Sequence, residues 1–315
     1  MRLACRIFFP LFLLWAGLTV AAGFMLPAQL LKAPMPHRTE SQREQIRGSL
    51  AEYGSHWSKH EIAGGEGVPL EVWWLHRPQA KGVAVILHGF GDDAWGSATR
   101  ARELPDWDAV VFTFRGRDRH PEIPSTLGAW ERQDVVCVEE FLEGQGFPRQ
   151  RILMVGTSMG AGVALLALED LERSGPPLAG ALLESPYRDL RDAARNHLKG
   201  TLGWTEVVAR PAEYLAIRRA ARLANFKANE VSPLDASADL RTPIALLSGD
   251  ADAITPLAGV QAIAEHHPDL TVVRGAGHCE AGGRIPGGWK AWAETRLATW
   301  APVRRSPWWR SWPKG

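Results

Sequence analysis

Gly156-Thr-Ser158-Met-Gly160 lies where a short apolar run, Ile152 to Val155, meets a small-residue helical pattern, Ala161 to Leu171. A strand, a sharp turn and a helix in that order place a serine in a strained backbone conformation with its hydroxyl pushed clear of the sheet. Such a serine is a nucleophile that needs a base. It also stands at a helix N-terminus, where unpaired N–H groups and the helix dipole favour the negative charge that develops in acyl transfer. In a chain with 31 glycines the same five residues can arise as a mere turn, but the flanking strand and helix patterns favour the nucleophile.

The other parts of such chemistry also follow apolar runs. Leu270 to Arg274 leads into Gly275-Ala-Gly-His278-Cys-Glu280, a glycine loop able to carry His278 to Ser158. Pro243 to Ser248 leads into Gly249-Asp250-Ala-Asp252-Ala-Ile-Thr255-Pro256, which offers two carboxylates, one to orient an imidazole and one for the turn. Thr255 as N-cap and Pro256 as the first helical residue would start a helix running to His266. After Val83 to Leu87 comes His88-Gly-Phe90-Gly-Asp92. There the N–H of Phe90 can form half of an oxyanion hole, with the N–H of Met159 as the other half. His88 itself is expected to hydrogen-bond its loop rather than do chemistry. Cys279 and Cys137 are expected to be inert, and three cysteines without paired spacing make neither a disulfide scaffold nor a metal site. No metal or organic cofactor is expected.

The elements that must position these groups alternate. Strands are expected over Leu70 to His76, Val83 to Leu87, Ala109 to Phe114, Ile152 to Val155, Leu178 to Leu183, Pro243 to Ser248 and Leu270 to Arg274, with helices such as Trp130 to Gly144 between them. This implies an α/β fold whose mostly parallel sheet is covered on both faces, with functional groups at the strand C-terminal ends. Ser185 to Arg241 is too long for one crossover and reads as a cap of two or three helices, about 185–241. Tyr187, Trp204, Tyr214 and Phe226 either line an acyl pocket or pack the cap on the body. Arg188, Arg191, Arg195, Arg218, Arg219 and Arg222 make the cap basic, as a solvated face or toward an anionic substrate or membrane surface. The loop Arg115-Gly-Arg-Asp-Arg-His120 reads as a solvated turn, with an anion-binding role as the sharper alternative.

A formal net charge of +1 provides no field for nucleic acid. The ends differ from the middle. From Ile7 to Leu31 there is no charged residue, between Arg2 and Arg6 on one side and Lys32 on the other. Residues 1–33 therefore read as a membrane anchor or a cleaved signal peptide, with the anchor favoured by length and export expected of either. The basic residues on the two flanks leave orientation open. Cys5 precedes the apolar core and is misplaced for a lipoprotein. Residues 34–58 read as a linker with a short helix near Ser41 to Tyr53, residues 59–300 as the body, and 301–315 as a tail. That tail carries Arg304, Arg305, Arg310 and Lys314 beside Trp308, Trp309 and Trp312, suited to a membrane interface if not simply disordered.

The order Ser158, carboxylate, His278 on this strand and helix pattern resembles the α/β-hydrolase superfamily over roughly Leu70 to Trp300. More narrowly it is similar to bacterial esterases and the serine-aminopeptidase-like group. In that group the acid sits in a Gly-x-x-Asp-x-x-x-Pro segment, matched by Gly249, Asp252 and Pro256, so the resemblance selects Asp252 over Asp250. One departure stands out: Phe114-Arg-Gly-Arg-Asp-Arg-His120 keeps only the Arg-Gly of the relatives' Asp-x-Arg-Gly-x-Gly-x-Ser. The resemblance implies a serine hydrolase acting on a small-molecule ester. Amide or peptide hydrolysis, for which Glu206, Glu213 or Glu230 would hold an amine, and a catalytically inactive binding protein are the alternatives.

Overall fold

The computed structural model describes residues 2–32, 36–51, 54–117, 120–202 and 206–300. The chain opens with α1 (Arg2–Leu30) and α2 (Glu40–Leu50), then β1 (His56–Ala63), β2 (Pro69–His76) and β3 (Val83–Leu87). After α3 (Ala94–Ala98) and β4 (Asp108–Phe112) come α4 (Glu131–Gly144), β5 (Ile152–Thr157), α5 (Met159–Ser174) and β6 (Gly180–Glu184). The inserted helices α6 (Leu190–Leu202), α7 (Glu206–Leu223) and α8 (Pro233–Ser237) follow. The chain then completes the sheet with β7 (Ile244–Gly249), α9 (Leu257–Ala264) and β8 (Leu270–Val273), and ends in α10 (Ala281–Arg284) and α11 (Gly288–Thr299).

The eight strands form one sheet in the order β1-β2-β4-β3-β5-β6-β7-β8. β1 and β2 pair antiparallel, as do β2 and β4, and all other pairings are parallel. β3, β4, β6 and β7 are buried along their whole length because helices cover both faces. Side chains alternate between two cores, as the twofold period of a strand requires. Val83, Val85 and Leu87 join the cluster under α4 and α5, whereas Ala84 and Ile86 join Trp95, Trp289 and Trp292 on the other face. The expected α/β architecture is thus present.

β1 was not expected, and it carries the sheet to His56, ahead of the expected start of the body at 59. It is an edge strand that alternates exposed and half-buried residues, so its sequence lacks an apolar run. The linker helix begins at Glu40 on a capping box between Thr39 and Gln42 and ends at Leu50. Tyr53 lies outside the described residues, as do Trp204 and the tail 301–315.

The insertion between β6 and β7 is helical, as expected. Tyr187 is buried: its hydroxyl donates to the Leu127 carbonyl at 2.5 Å, and its ring fills the space beside Gly162. With Phe226 it belongs to the cluster that seats the insertion on the body, while Tyr214 is exposed. The packing alternative therefore holds for Tyr187 and Phe226. α1 lies along α7, with Gly23 against Leu215 and the Arg219 guanidinium 3.9 Å from the Phe24 ring centre.

In the loop after β4 the expected solvated turn is corrected at two of its arginines, while residues 118–119 lie outside the described residues. Arg115 and Arg117 are buried. Arg115 grips Asp134 through Nε at 2.8 Å and Nη2 at 2.5 Å, and it also donates to the Gly65 carbonyl. Burial excludes water from both charges, so each depends on the other. Arg115→Met, which strands the Asp134 carboxylate, should destabilise the protein by about 3–5 kcal/mol in urea unfolding. A loss under about 1 kcal/mol would mean that the pair behaves as a surface salt bridge.

Candidate active site

Ser158 occupies the junction of β5 and α5 with φ 54° and ψ −116°, a conformation that crowds a β-carbon. The turn closes because its neighbours are glycines. A β-carbon on Gly156 would stand 2.6 Å from the Gly160 carbonyl oxygen, and one on Gly160 would stand 2.3 Å from that of Leu87. The serine is also pinned through its backbone. Its N–H donates to Glu184 O at 2.8 Å, and its carbonyl accepts from Ala161 and Gly162 at 3.0 and 3.1 Å.

The structure brings Ser158, His278 and Asp252 together in one line. Ser158 Oγ lies 2.8 Å from His278 Nε2, and His278 Nδ1 lies 2.8 Å from Asp252 Oδ2. Because a carboxylate only accepts, Nδ1 carries the imidazole proton and Nε2 is left with a lone pair facing the serine hydroxyl. Asp252 is held in turn. Its Oδ1 accepts from the N–H groups of Ile254 and Thr255 at 2.9 and 2.8 Å, and its Oδ2 accepts from Thr255 Oγ1 at 2.8 Å. Burial alone would raise its carboxyl, but the bonds from His278 and Thr255 outweigh burial and hold it below the usual carboxylate range.

Asp250 does the other job foreseen for the pair. Its Oδ1 accepts from Gly275 N–H at 2.6 Å and so braces the loop that bears His278. The N-cap expectation for Thr255 is corrected. α9 starts at Leu257 with Pro256 in the capping position, and the Thr255 hydroxyl is occupied by Asp252.

The loop after β3 passes over the serine, with a β-carbon built on Gly89 falling 3.6 Å from Ser158 Cβ. Among the described residues, the N–H groups of Phe90 and Met159 have no protein acceptor. His88 is fully buried and serves the loop: Nδ1–H donates to Gly89 O at 2.8 Å, and Nε2 accepts from Phe114 N–H at 3.0 Å. Cys279, in a left-handed conformation beside the site, has its thiol pushed up by burial. No cluster of His, Cys, Asp and Glu among the described residues is placed to hold a metal ion.

Reasoning from sequence missed three supports. Glu184, buried at the end of β6, accepts from Gly282 N–H at 2.8 Å and pairs with Arg100 at 2.9 Å, tying down the chain just after His278. Thr255 braces Asp252, and Arg117 reaches the loop of Phe90. An acidic residue ending the apolar run Gly180 to Leu183 was a legible signal for Glu184; the arginine had none.

The profile of the alpha/beta hydrolase family matches residues 84–284. The chain belongs to the alpha/beta hydrolase family. It is 34% identical over 131 residues to an acetyl-hydrolase of Streptomyces hygroscopicus, a match covering 39% of this chain and 42% of that relative, less than half its length. Among solved structures it is similar to an esterase of Pyrococcus furiosus, with a TM-score of 0.63 at 19% identity, covering 86% of this chain and 98% of that one. A thermophilic esterase from Thermogutta terrifontis gives a TM-score of 0.53 at 20% identity, covering 76% and 98%. At such identities these two likenesses concern the fold.

Burial, joined by the nearby Arg117 charge, pushes His88 down to about 3, so it stays neutral while the unfolded chain binds a proton near the ordinary value. Between those two values the unfolded state holds more protons, and stability rises with pH. Lowering the pH from about 7.5 to about 5 should therefore cost the wild type up to about 2 kcal/mol more unfolding free energy than His88→Gln, measured in urea. Equal losses in the two proteins would show that His88 titrates alike folded and unfolded.

Proposed function

We propose that the protein is a serine hydrolase that cleaves carboxylic ester-type substrates through an acyl-enzyme intermediate. The continuous line of hydrogen bonds from Ser158 through His278 to Asp252 carries this reading. Ser158 Oγ attacks the carbonyl carbon while His278 Nε2 takes the hydroxyl proton, and Asp252 stabilises the imidazolium that results. The tetrahedral oxyanion is received by the N–H groups of Phe90 and Met159. Collapse breaks the ester bond, and the departing alkoxide takes the proton from Nε2. Water then repeats the sequence on the acyl-serine and frees the acid.

Family membership and the acetyl-hydrolase relative support a small ester as substrate. Of the acidic insertion residues that an amine would need, Glu230 pairs with Lys227 at 2.7 Å and Glu213 is buried, which favours ester over amide. An intact triad weighs against a purely binding role. Ser158→Ala should abolish turnover of short aryl esters, and Asp252→Asn should lower kcat about 10⁴-fold while Asp250→Asn lowers it less than about tenfold. Faster turnover of aminoacyl amides than of aryl esters would reassign the substrate, and an inactive Asp250→Asn beside an active Asp252→Asn would reassign the acid.

The second part of the proposal is place. Phe9 to Pro27 is apolar over 19 residues, roughly 28 Å of helix against a hydrocarbon core of about 30 Å. Phe9, Leu11, Phe12, Leu14 and Leu18 are exposed, as a lipid-facing surface would be. A retained anchor with the body on the exported side is the reading, with secretion after cleavage as its rival. The contact of Gly23 and Phe24 with α7 supports retention. The exposed Arg218 and Arg222 would then lie near lipid headgroups, and the tail could add a salt-sensitive contact. Full-length protein should remain with membranes in high salt, with or without residues 301–315. Soluble protein starting just after Ala22 or Gly23 would establish a signal peptide.

A further inference from the structure

Arg117 is a buried cation that no carboxylate contacts directly among the described residues. It is 2% exposed, and among the described residues no acidic side chain forms an ion pair with it and its Nε has no partner. Asp92 and Asp93 on the opposite loop are both engaged by Arg38, Asp92 at 3.1 Å, and with Glu131 they act on Arg117 from beyond contact. A buried guanidinium normally has a carboxylate, because desolvation of an unpaired charge is unfavourable. Burial accordingly pulls this one down to about 10, which leaves it protonated at neutral pH.

What surrounds Arg117 instead is the loop proposed to receive the oxyanion. Nη1 donates to the carbonyl of Phe90 and to that of Asp92, the latter at 3.1 Å. Nη2 points to Met159 Sδ at 3.6 Å, and the guanidinium lies 5.4 Å from the Phe90 ring centre. One planar group therefore touches both residues whose N–H groups are proposed to receive the oxyanion. It fixes Phe90 through its carbonyl, which sets where the amide of the same residue stands, and it meets the side chain of Met159 directly after the nucleophile.

We propose that Arg117 is a positioning residue for the oxyanion hole: its two-nitrogen grip on Phe90, Asp92 and Met159 sets the spacing of the two N–H donors. The inference rests on the serine hydrolase reading above. The fork matters because Nη1 reaches the two carbonyls while Nη2 reaches the sulfur, and the single nitrogen of a lysine cannot occupy both positions.

The test compares Arg117→Met and Arg117→Lys with the wild type in aryl ester turnover and in binding of an aryl trifluoromethyl ketone, whose hydrated or serine-bound oxygen mimics the oxyanion. Removing an oxyanion donor outright costs about 10²–10³ in kcat, so misplacing one should cost about 10–100-fold. Arg117→Met is expected to lose that much in kcat and a similar factor in ketone affinity, with KM changed less than about threefold. Arg117→Lys, which keeps the charge and loses the fork, should fall between the two. Unchanged kcat and ketone affinity in a folded Arg117→Met, or a loss confined to KM, would overturn the proposal. If Arg117→Met does not fold, Arg117→Lys decides in the same way, wild-type values overturning it and a parallel loss in kcat and ketone affinity supporting it. A wild type that neither turns over aryl esters nor binds the ketone would instead remove the serine hydrolase reading, and this inference with it.

Discussion

Ser158 can adopt its left-handed backbone only because Gly156 and Gly160 leave room for the chain to fold back on itself. A residue in that region carries roughly 1–3 kcal/mol of strain. The strain is held in place by what surrounds it: β5 is paired on both sides, and α5 is buried from Met159 to Leu168. The close approach of Gly160 to Leu87 also brings the end of β3 beside Ser158. The loop of Phe90 thus reaches Ser158 as a consequence of the same turn.

Around that turn the sheet supplies geometry and the loops supply chemistry. β3, β5, β7 and β8 end at one edge, and from those ends come the loop of Phe90, Ser158, Asp252 and His278. Each loop is then tied down by a further residue: Asp250 and Glu184 hold the chain on either side of His278, Thr255 holds Asp252, and Arg117 holds Phe90. Bracing of this kind keeps donors and acceptors in place without reorganisation at the moment of reaction.

Much of this was legible in the sequence for a physical reason. Fully buried parallel strands write themselves as apolar runs, and the residues after them are where loops must carry function, so Ser158, the two aspartates and His278 stood out locally. β1 did not, because an edge strand with half-exposed side chains looks like a polar linker. Arg115 and Arg117 misled for a similar reason: closely spaced arginines suggest solvent, and only the fold shows that Arg115 finds Asp134 and that Arg117 finds backbone carbonyls. Tyr187 was ambiguous until Gly162 was seen to make room for its ring.

The central claim is that Ser158, activated through His278, is the nucleophile that becomes acylated. Incubation with a fluorophosphonate, followed by intact-protein and peptide mass spectrometry, tests it most directly because the reagent phosphonylates only an activated serine. A single adduct on the peptide bearing Ser158, formed rapidly in the wild type and absent in His278→Ala, is the expected result. An unlabelled wild type, or an adduct on another residue, would contradict the account.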